Sequence, residues 1–476
     1  MLDSGADVNF LDYNNTNPVL QSLWARRSVD MIKLILARGI VIDDKALFYA
    51  FDRREIAANT VITDILLGHI QDVNHSRISN MCHTPSSFLD HFSIAGNISA
   101  MQTLLARGAT QLPSALHLAC GCGRIEVVKL LLHEAKARPD RIITDEVLRE
   151  ALRAASRHGQ LAVVLFLFQY DADADDSNAQ LVGHSEVKSG SWITSEAIKN
   201  SLFATLHREV RLAISTSGQL AIMKFLIEHG ADAEALNAAL CRAVSDDVVE
   251  AIELLLDSGA DINVIRPRQY PYALENPLLI ACRVGRPTTV RLLLARGADP
   301  NQQGVPCPLI TAMDRHCDRL DTLKILLEYG ADPNDTRTAT SPLKAALQRP
   351  DFLKLLLEHG ADPNLSFRDG STALLEVLGR THMSNLEVFT LLLQQGADPN
   401  LAEPRTGETP LMLVATAIRV EYVKLLLEYG ADVTQVNTAG QTVLDMLGRT
   451  RKYGEVVELC TSYVETNKPG AKLVLK

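Results

Sequence analysis

The chain has 476 residues, 57 of them acidic and 47 basic, for a net charge of −10 at pH 7, and it is 47% hydrophobic and 22% charged. That is too long for one compact core and too apolar for disorder along its length, so several domains or an extended repeat array are expected. Charge is spread without a basic stripe and only 5% of residues are aromatic, which argues against the phosphate neutralisation and base stacking that nucleic acid requires.

The N-terminus opens on Leu2-Asp3-Ser4-Gly5-Ala6-Asp7-Val8-Asn9, a near copy of Leu256-Asp257-Ser258-Gly259-Ala260-Asp261-Ile262-Asn263. The latter is the tail of a helix followed by a turn, so the chain is expected to begin inside a repeat. An array that begins so exposes an apolar face, which suggests the recognition region of a longer receptor or enzyme truncated at Met1, or a second chain covering that face. No basic and apolar leader follows Met1, and a cytoplasmic or nuclear location is expected. Weak anchors then follow at Gly39, Gly68 and Gly108.

Residues 114–132 form the clearest early unit. Ser114 is expected to cap a helix with Leu116, Leu118 and Ala119 on its apolar face, a turn at Gly121 and Gly123 breaks it, and a second helix carries Ile125, Val128, Leu131 and Leu132. The run 161–168 is the longest unbroken apolar stretch at eight residues, too short to span a bilayer. Degenerate anchors at Ala135 and Asp171 close these two units. Residues 173–191 are rich in Asp, Ser, Asn and Gly and are expected to protrude as a loop separating two sub-arrays, followed by a long helix over 195–214.

From there the pattern sharpens. Leu-Leu-Leu, two residues and Gly-Ala-Asp recur at 254–261 and 292–299, and close copies end at Asp332, Asp362, Asp398 and Asp432. The anchors Gly230, Gly259, Gly297, Gly330, Gly360, Gly396 and Gly430 lie 29 to 38 residues apart, and the whole series averages about 35 residues per unit. Glycine ends each second helix because the chain enters a left-handed conformation there, and Asp-Pro-Asn after it is turn chemistry leading into a hairpin-like finger. The finger over 264–276 is longer than its neighbours and gathers Arg266, Pro267, Arg268, Tyr270, Pro271 and Tyr272. Arg337 in one following tip, and Phe367 with Arg368 in the next, extend the same surface. These are the candidate partner-binding residues, since interface energy concentrates on rigidly held Tyr and Arg.

Two helices and a turn cannot bury their own apolar faces, whereas stacked copies can. The helix start Ser114-Ala115-Leu116-His117-Leu118-Ala119, with looser versions at 409–414, Ser341-Pro342-Leu343 and Thr372-Ala373-Leu374, resembles the Thr-Pro-Leu-His-x-Ala of ankyrin repeats. The resemblance implies an all-α ankyrin solenoid of about thirteen helix pairs with short β-hairpin fingers. Its domains are N-terminal repeats over 1–173, an inserted loop over 174–194, C-terminal repeats over 195–465 and a polar tail over 466–476. It also implies a non-catalytic protein-interaction module or scaffold that binds a protein partner on the concave surface of fingers and first helices.

Local mimics of chemistry do not alter this. Gly121-Cys122-Gly123 lacks the third Gly of a dinucleotide loop and joins two helices. Asp171, Asp173 and Asp175 resemble a calcium loop, but Asp176 and Val182 stand where the turn Gly and bidentate Glu belong. Cys120 and Cys122 near His117 lack a second ligand pair for zinc, and His133-Glu134 lacks a second His. Cys120 and Cys282 occupy a repeated core position. Eight cysteines in so long a chain are expected to be reduced thiols. No catalytic residue, cofactor, metal, membrane span, nucleic acid or small-molecule substrate is therefore expected.

Overall fold

The computed structural model describes residues 59–76, 86–137, 143–179, 193–205, 216–267, 274–303, 306–313, 320–338, 340–379, 386–448 and 451–467, with scattered positions between 30 and 57. Two compact units, Met1–Asp261 and Ile262–Lys476, make up the chain. Both are built of short helices joined as antiparallel pairs.

The first unit contains α1 (Asp44–Phe51), α2 (Thr60–Leu67), α3 (Phe88–Ala95), α4 (Ile98–Ala106), α5 (Leu112–Gly121), α6 (Ile125–Ala137), α7 (Asp145–Arg157), α8 (Leu161–Ala179), α9 (Ser195–Thr205), α10 (Thr216–Glu228), α11 (Ala233–Asp246) and α12 (Val249–Asp257). The first helices α3, α5, α7, α9 and α11 stack side by side, and the second helices α4, α6, α8, α10 and α12 form a parallel row behind them. Alternating apolar stripes explain the stacking: Ala115, Leu116, Ala119 and Cys120 of α5 are fully buried, as are Val128 and Leu131 of α6.

Three details depart from the expectations above. Helix α5 begins at Leu112, because Pro113 fits its first turn, so Ser114 lies inside the helix and not at its cap. Helix α8 runs on to Ala179, six residues into the expected loop, since no Gly or Pro stands between Asp171 and Ala179 to stop it. Residues 180–192 lie outside the described residues, as do 206–214 of the long helix expected over 195–214. Moreover, α7 packs directly on α9 and α8 on α10, so the helices on either side of the expected insertion belong to one compact unit. Gly68, lastly, ends α2 at φ −61°, an ordinary right-handed cap and not the left-handed turn expected of an anchor.

The second unit opens with a two-stranded antiparallel hairpin, β1 (Arg266–Pro267) and β2 (Leu274–Glu275), in which Arg266 faces Glu275 and Pro267 faces Leu274. The helices α13 (Pro277–Val284), α14 (Pro287–Ala295), α15 (Pro308–Ala312), α16 (Leu320–Glu328), α17 (Pro342–Ala346), α18 (Pro350–Glu358), α19 (Ala373–Gly379), α20 (Leu386–Gln394), α21 (Pro410–Thr416), α22 (Val420–Glu428), α23 (Val443–Leu447) and α24 (Gly454–Asn467) follow. Proline at the first turn of α13, α15, α17 and α21 costs no hydrogen bond, because that N–H would be unpaired in any helix. Gly330 ends α16 at φ +82°, in the left-handed region where a side chain would be strained.

Beyond each such glycine the fingers are joined by an asparagine ladder. Asn334 donates its amide to the Gly360 carbonyl at 3.0 Å and accepts the Asp362 N–H at 2.7 Å, and Asn364 does the same to Gly396 and Asp398 at 3.0 and 2.7 Å. Asn301 and Asn400 repeat the pattern. Each asparagine is itself held by its turn, where the aspartate two residues earlier accepts its backbone N–H. The ladder stops at Thr434, whose hydroxyl returns to Asp432 in its own turn.

Candidate partner-binding surface

The finger residues singled out from sequence meet different fates. Arg266 is half-buried at the base of the hairpin, flanked by exposed apolar Ile265 and Leu274. Its cross-strand partner Glu275 accepts from Arg283 at 3.2 Å. Arg268, Tyr270 and Tyr272 lie outside the described residues.

Arg337 is held as a clamp. Its guanidinium straddles the Asp335 carboxylate, with Nε 2.9 Å from Oδ1 and Nη2 2.7 Å from Oδ2, while Nη1 donates to the carbonyls of Asn301 and Gln302 in the preceding finger at 2.7 and 2.9 Å. Asp335 is 4% exposed, and burial alone would raise its pKa. The hydrogen bonds from Arg337 outweigh that and hold the carboxyl below its usual range. Burial pushes the neighbouring Cys307 thiol up to about 12, so it is a core group and not a nucleophile at neutral pH. Arg368 is exposed, and its Nη2 donates to the Arg337 carbonyl at 3.2 Å. Three successive fingers are thus linked in series.

Phe367 does not project. It is buried, its N–H donates to the Ser371 carbonyl to close the finger inward, and the Lys344 ammonium sits 4.9 Å from its ring centroid. Lys344 bridges to Asp369 at 2.8 Å and Glu376 at 3.4 Å. Burial lowers its pKa, but these carboxylates outweigh burial and raise it, and Lys344 in turn holds Asp369 well below the carboxylate range. Sequence reasoning missed Lys344, although it stands at the histidine position of the helix-start motif, where a polar side chain at an apolar register is itself a signal.

On the first unit the equivalent position is Asp90, which is fully buried. Its carboxylate accepts from the backbone N–H groups of Ser86 and Ser87, from the Ser86 hydroxyl, and from Ser114 Oγ at 2.7 Å in the next repeat. Ser114 therefore joins two repeats instead of capping a helix. Cys120 and Cys282 are both buried in the core, and burial drives the Cys120 thiol upward. Among the described residues no group of three His, Cys, Asp or Glu could hold a metal ion, and no helix is long and apolar enough to cross a membrane.

A family model for ankyrin repeats, three copies long, matches residues 88–178, 278–367, 309–403 and 381–468, more than half of the chain. The chain belongs to the ankyrin-repeat family. Ankyrin repeats generally serve as protein–protein interaction modules. Among solved ankyrin structures, the ankyrin repeat domain of Bcl-3, a member of the IkappaB family, is 24% identical, with 47% of this chain and 97% of that one covered at a TM-score of 0.39. An ankyrin repeat domain from Acinetobacter baumannii AYE is 29% identical, with 40% and 98% covered at 0.35, and that of human ASB11 is 23% identical, with 47% and 96% covered at 0.34. No curated protein sequence matches the chain.

Proposed function

We propose that this ankyrin chain is a non-catalytic scaffold of the cytoplasm or nucleus that binds a folded protein on the surface formed by its fingers and first helices. The observation that carries this reading is the serial linkage Arg368 to Arg337 to Asn301 and Gln302. Linked fingers present exposed side chains at fixed spacing, so little conformational entropy is lost when a partner docks. Arg337 and Lys344 serve as positioning residues, while Arg266, Arg268, Tyr270 and Tyr272 supply the contact, with exposed Ile265 and Leu274 near Arg266. The sparse cysteines suit a reducing compartment.

Affinity capture with mass spectrometry identifies the partner, and the quadruple alanine variant at Arg266, Arg268, Tyr270 and Tyr272 then tests the surface. Loss of more than about 2 kcal/mol of binding with unchanged circular dichroism is expected. Unchanged affinity places the partner elsewhere.

A further inference from the structure

From α6 to α22 the second helices follow a rule that α8 breaks. Six residues before the anchor stand exposed Lys129 in α6, Lys224 in α10, Arg291 in α14, Lys324 in α16, Lys354 in α18 and Lys424 in α22, and half-buried Glu253 in α12 and Thr390 in α20. In α8 that position is Leu165, which is 43% exposed. The break is not confined to one residue. From Leu161 to Tyr170 no side chain is charged; Ala162, Leu165 and Gln169 are exposed, and Leu161, Phe166, Phe168 and Tyr170 are half-buried around them. An uncharged stretch of helix is ordinarily covered, yet this first half of α8 has an open side, before the acidic second half begins at Asp171.

The neighbouring helices frame this strip with cations. Lys129 of α6 lies 5.9 Å from the Phe166 ring centroid and Lys136 lies 4.4 Å from that of Tyr170. On the other side, α10 is locked to α8 by Phe168 against Phe225, edge to face at 4.9 Å, and carries the exposed Lys224 in the same row as Leu165. Lys129 pairs with Glu126 at 2.8 Å, but both are exposed, so that pair exchanges at little cost.

We propose that the α8 strip is a second docking site, and that its occupant is an amphipathic helix of another protein with an apolar ridge bordered by carboxylates. Charge selects among the occupants. A second copy of the chain related by a two-fold axis along α8 sets Lys129 opposite Lys224, and an axis across α8 sets each lysine opposite itself, so both arrangements juxtapose like charges. An anionic membrane is disfavoured by the net charge of −10. An acidic helix meets both lysine flanks and covers the leucine. This site is separate from the finger surface, and neither depends on the other.

Two synthetic helices of roughly 18 residues test it, both with leucines at i, i+3, i+4 and i+7, one flanked by glutamates and the other by lysines. The intact chain should bind the glutamate peptide at least about tenfold more tightly than the lysine peptide, and Leu165→Lys should weaken the glutamate peptide by at least about tenfold. Because lysine already stands at this position in α16, α18 and α22, Leu165→Lys should leave the denaturant midpoint unchanged. No binding of the glutamate peptide, equal binding of both peptides, or indifference to Leu165→Lys overturns the proposal. So does a wild-type dimer that Leu165→Lys dissociates in light scattering, or flotation with phosphatidylserine vesicles that Leu165→Lys abolishes.

Discussion

Arg337 and Asp335 form a two-pronged ion pair in which the carboxylate is buried and the guanidinium reaches on to the finger before it. Removing the cation strands a desolvated anion, which costs more than the pair contributes when intact. Arg337→Met is expected to lower stability by about 1 to 3 kcal/mol. Asp335→Asn should restore part of that loss in the Arg337→Met background, and denaturant unfolding of the two variants checks both.

The same pair sets an acid limb. The folded pKa of Asp335 is depressed, so its contribution is present above the unfolded carboxylate value of about 3.9 and is lost as pH falls through the lower folded value. Unfolding followed from pH 5 downward should show a steeper loss of stability in the wild type than in Arg337→Met. Parallel acid limbs would separate Asp335 from the transition.

The asparagine rungs are testable singly. Asn364→Ala removes one donor and one acceptor bond between repeats and should cost about 1 to 2 kcal/mol. Thr434→Ala, at the end of the ladder, touches only its own turn and should fall within about 0.5 kcal/mol.

Core and cap should separate by mechanism. Leu326 is fully buried, so Leu326→Ala is expected to cost about 2 to 5 kcal/mol through lost burial and a cavity. A β-carbon at Gly330 meets no atom within 4 Å, so Gly330→Val should cost about 1 to 3 kcal/mol mainly from backbone strain. Denaturant melts of each variant supply both values.

Ile418 has φ +57° between α21 and α22, where Gly285 stands at φ +76° between α13 and α14. A β-branched residue is strained there by about 1 to 3 kcal/mol, and its half-buried side chain returns less than that. Ile418→Gly should therefore raise the midpoint of chemical denaturation, and a lowered midpoint would mean that burial outweighs strain.

Much of the fold is legible from residues because it is repetitive: the Leu-Leu-Leu and Gly-Ala-Asp spacing marks second helices, and Asp-Pro-Asn marks turns. What escaped is decided by neighbours outside the local sequence. Ser114 looks like a cap until Asp90, 24 residues away, accepts a hydrogen bond from its hydroxyl. Phe367 looks like a projecting tip until the finger closes through Ser371 and turns the ring beneath Lys344. The Asp and Ala residues after Tyr170 look like turn chemistry by composition, yet nothing in them stops a helix already under way.

Unequal repeats raise a question of gauge. Anchor glycines stand anywhere from 29 to 38 residues apart, and a structure metered by residue count would slip at every irregular step. Each rung instead spans from an asparagine to the carbonyl of the next anchor glycine and the N–H two residues beyond it, so the interval is set in space and not along the chain. Extra residues between two rungs leave the following repeat in step. The tips can therefore vary in length and chemistry while the frame stays fixed, and an array built this way can acquire a new recognition loop by a single insertion.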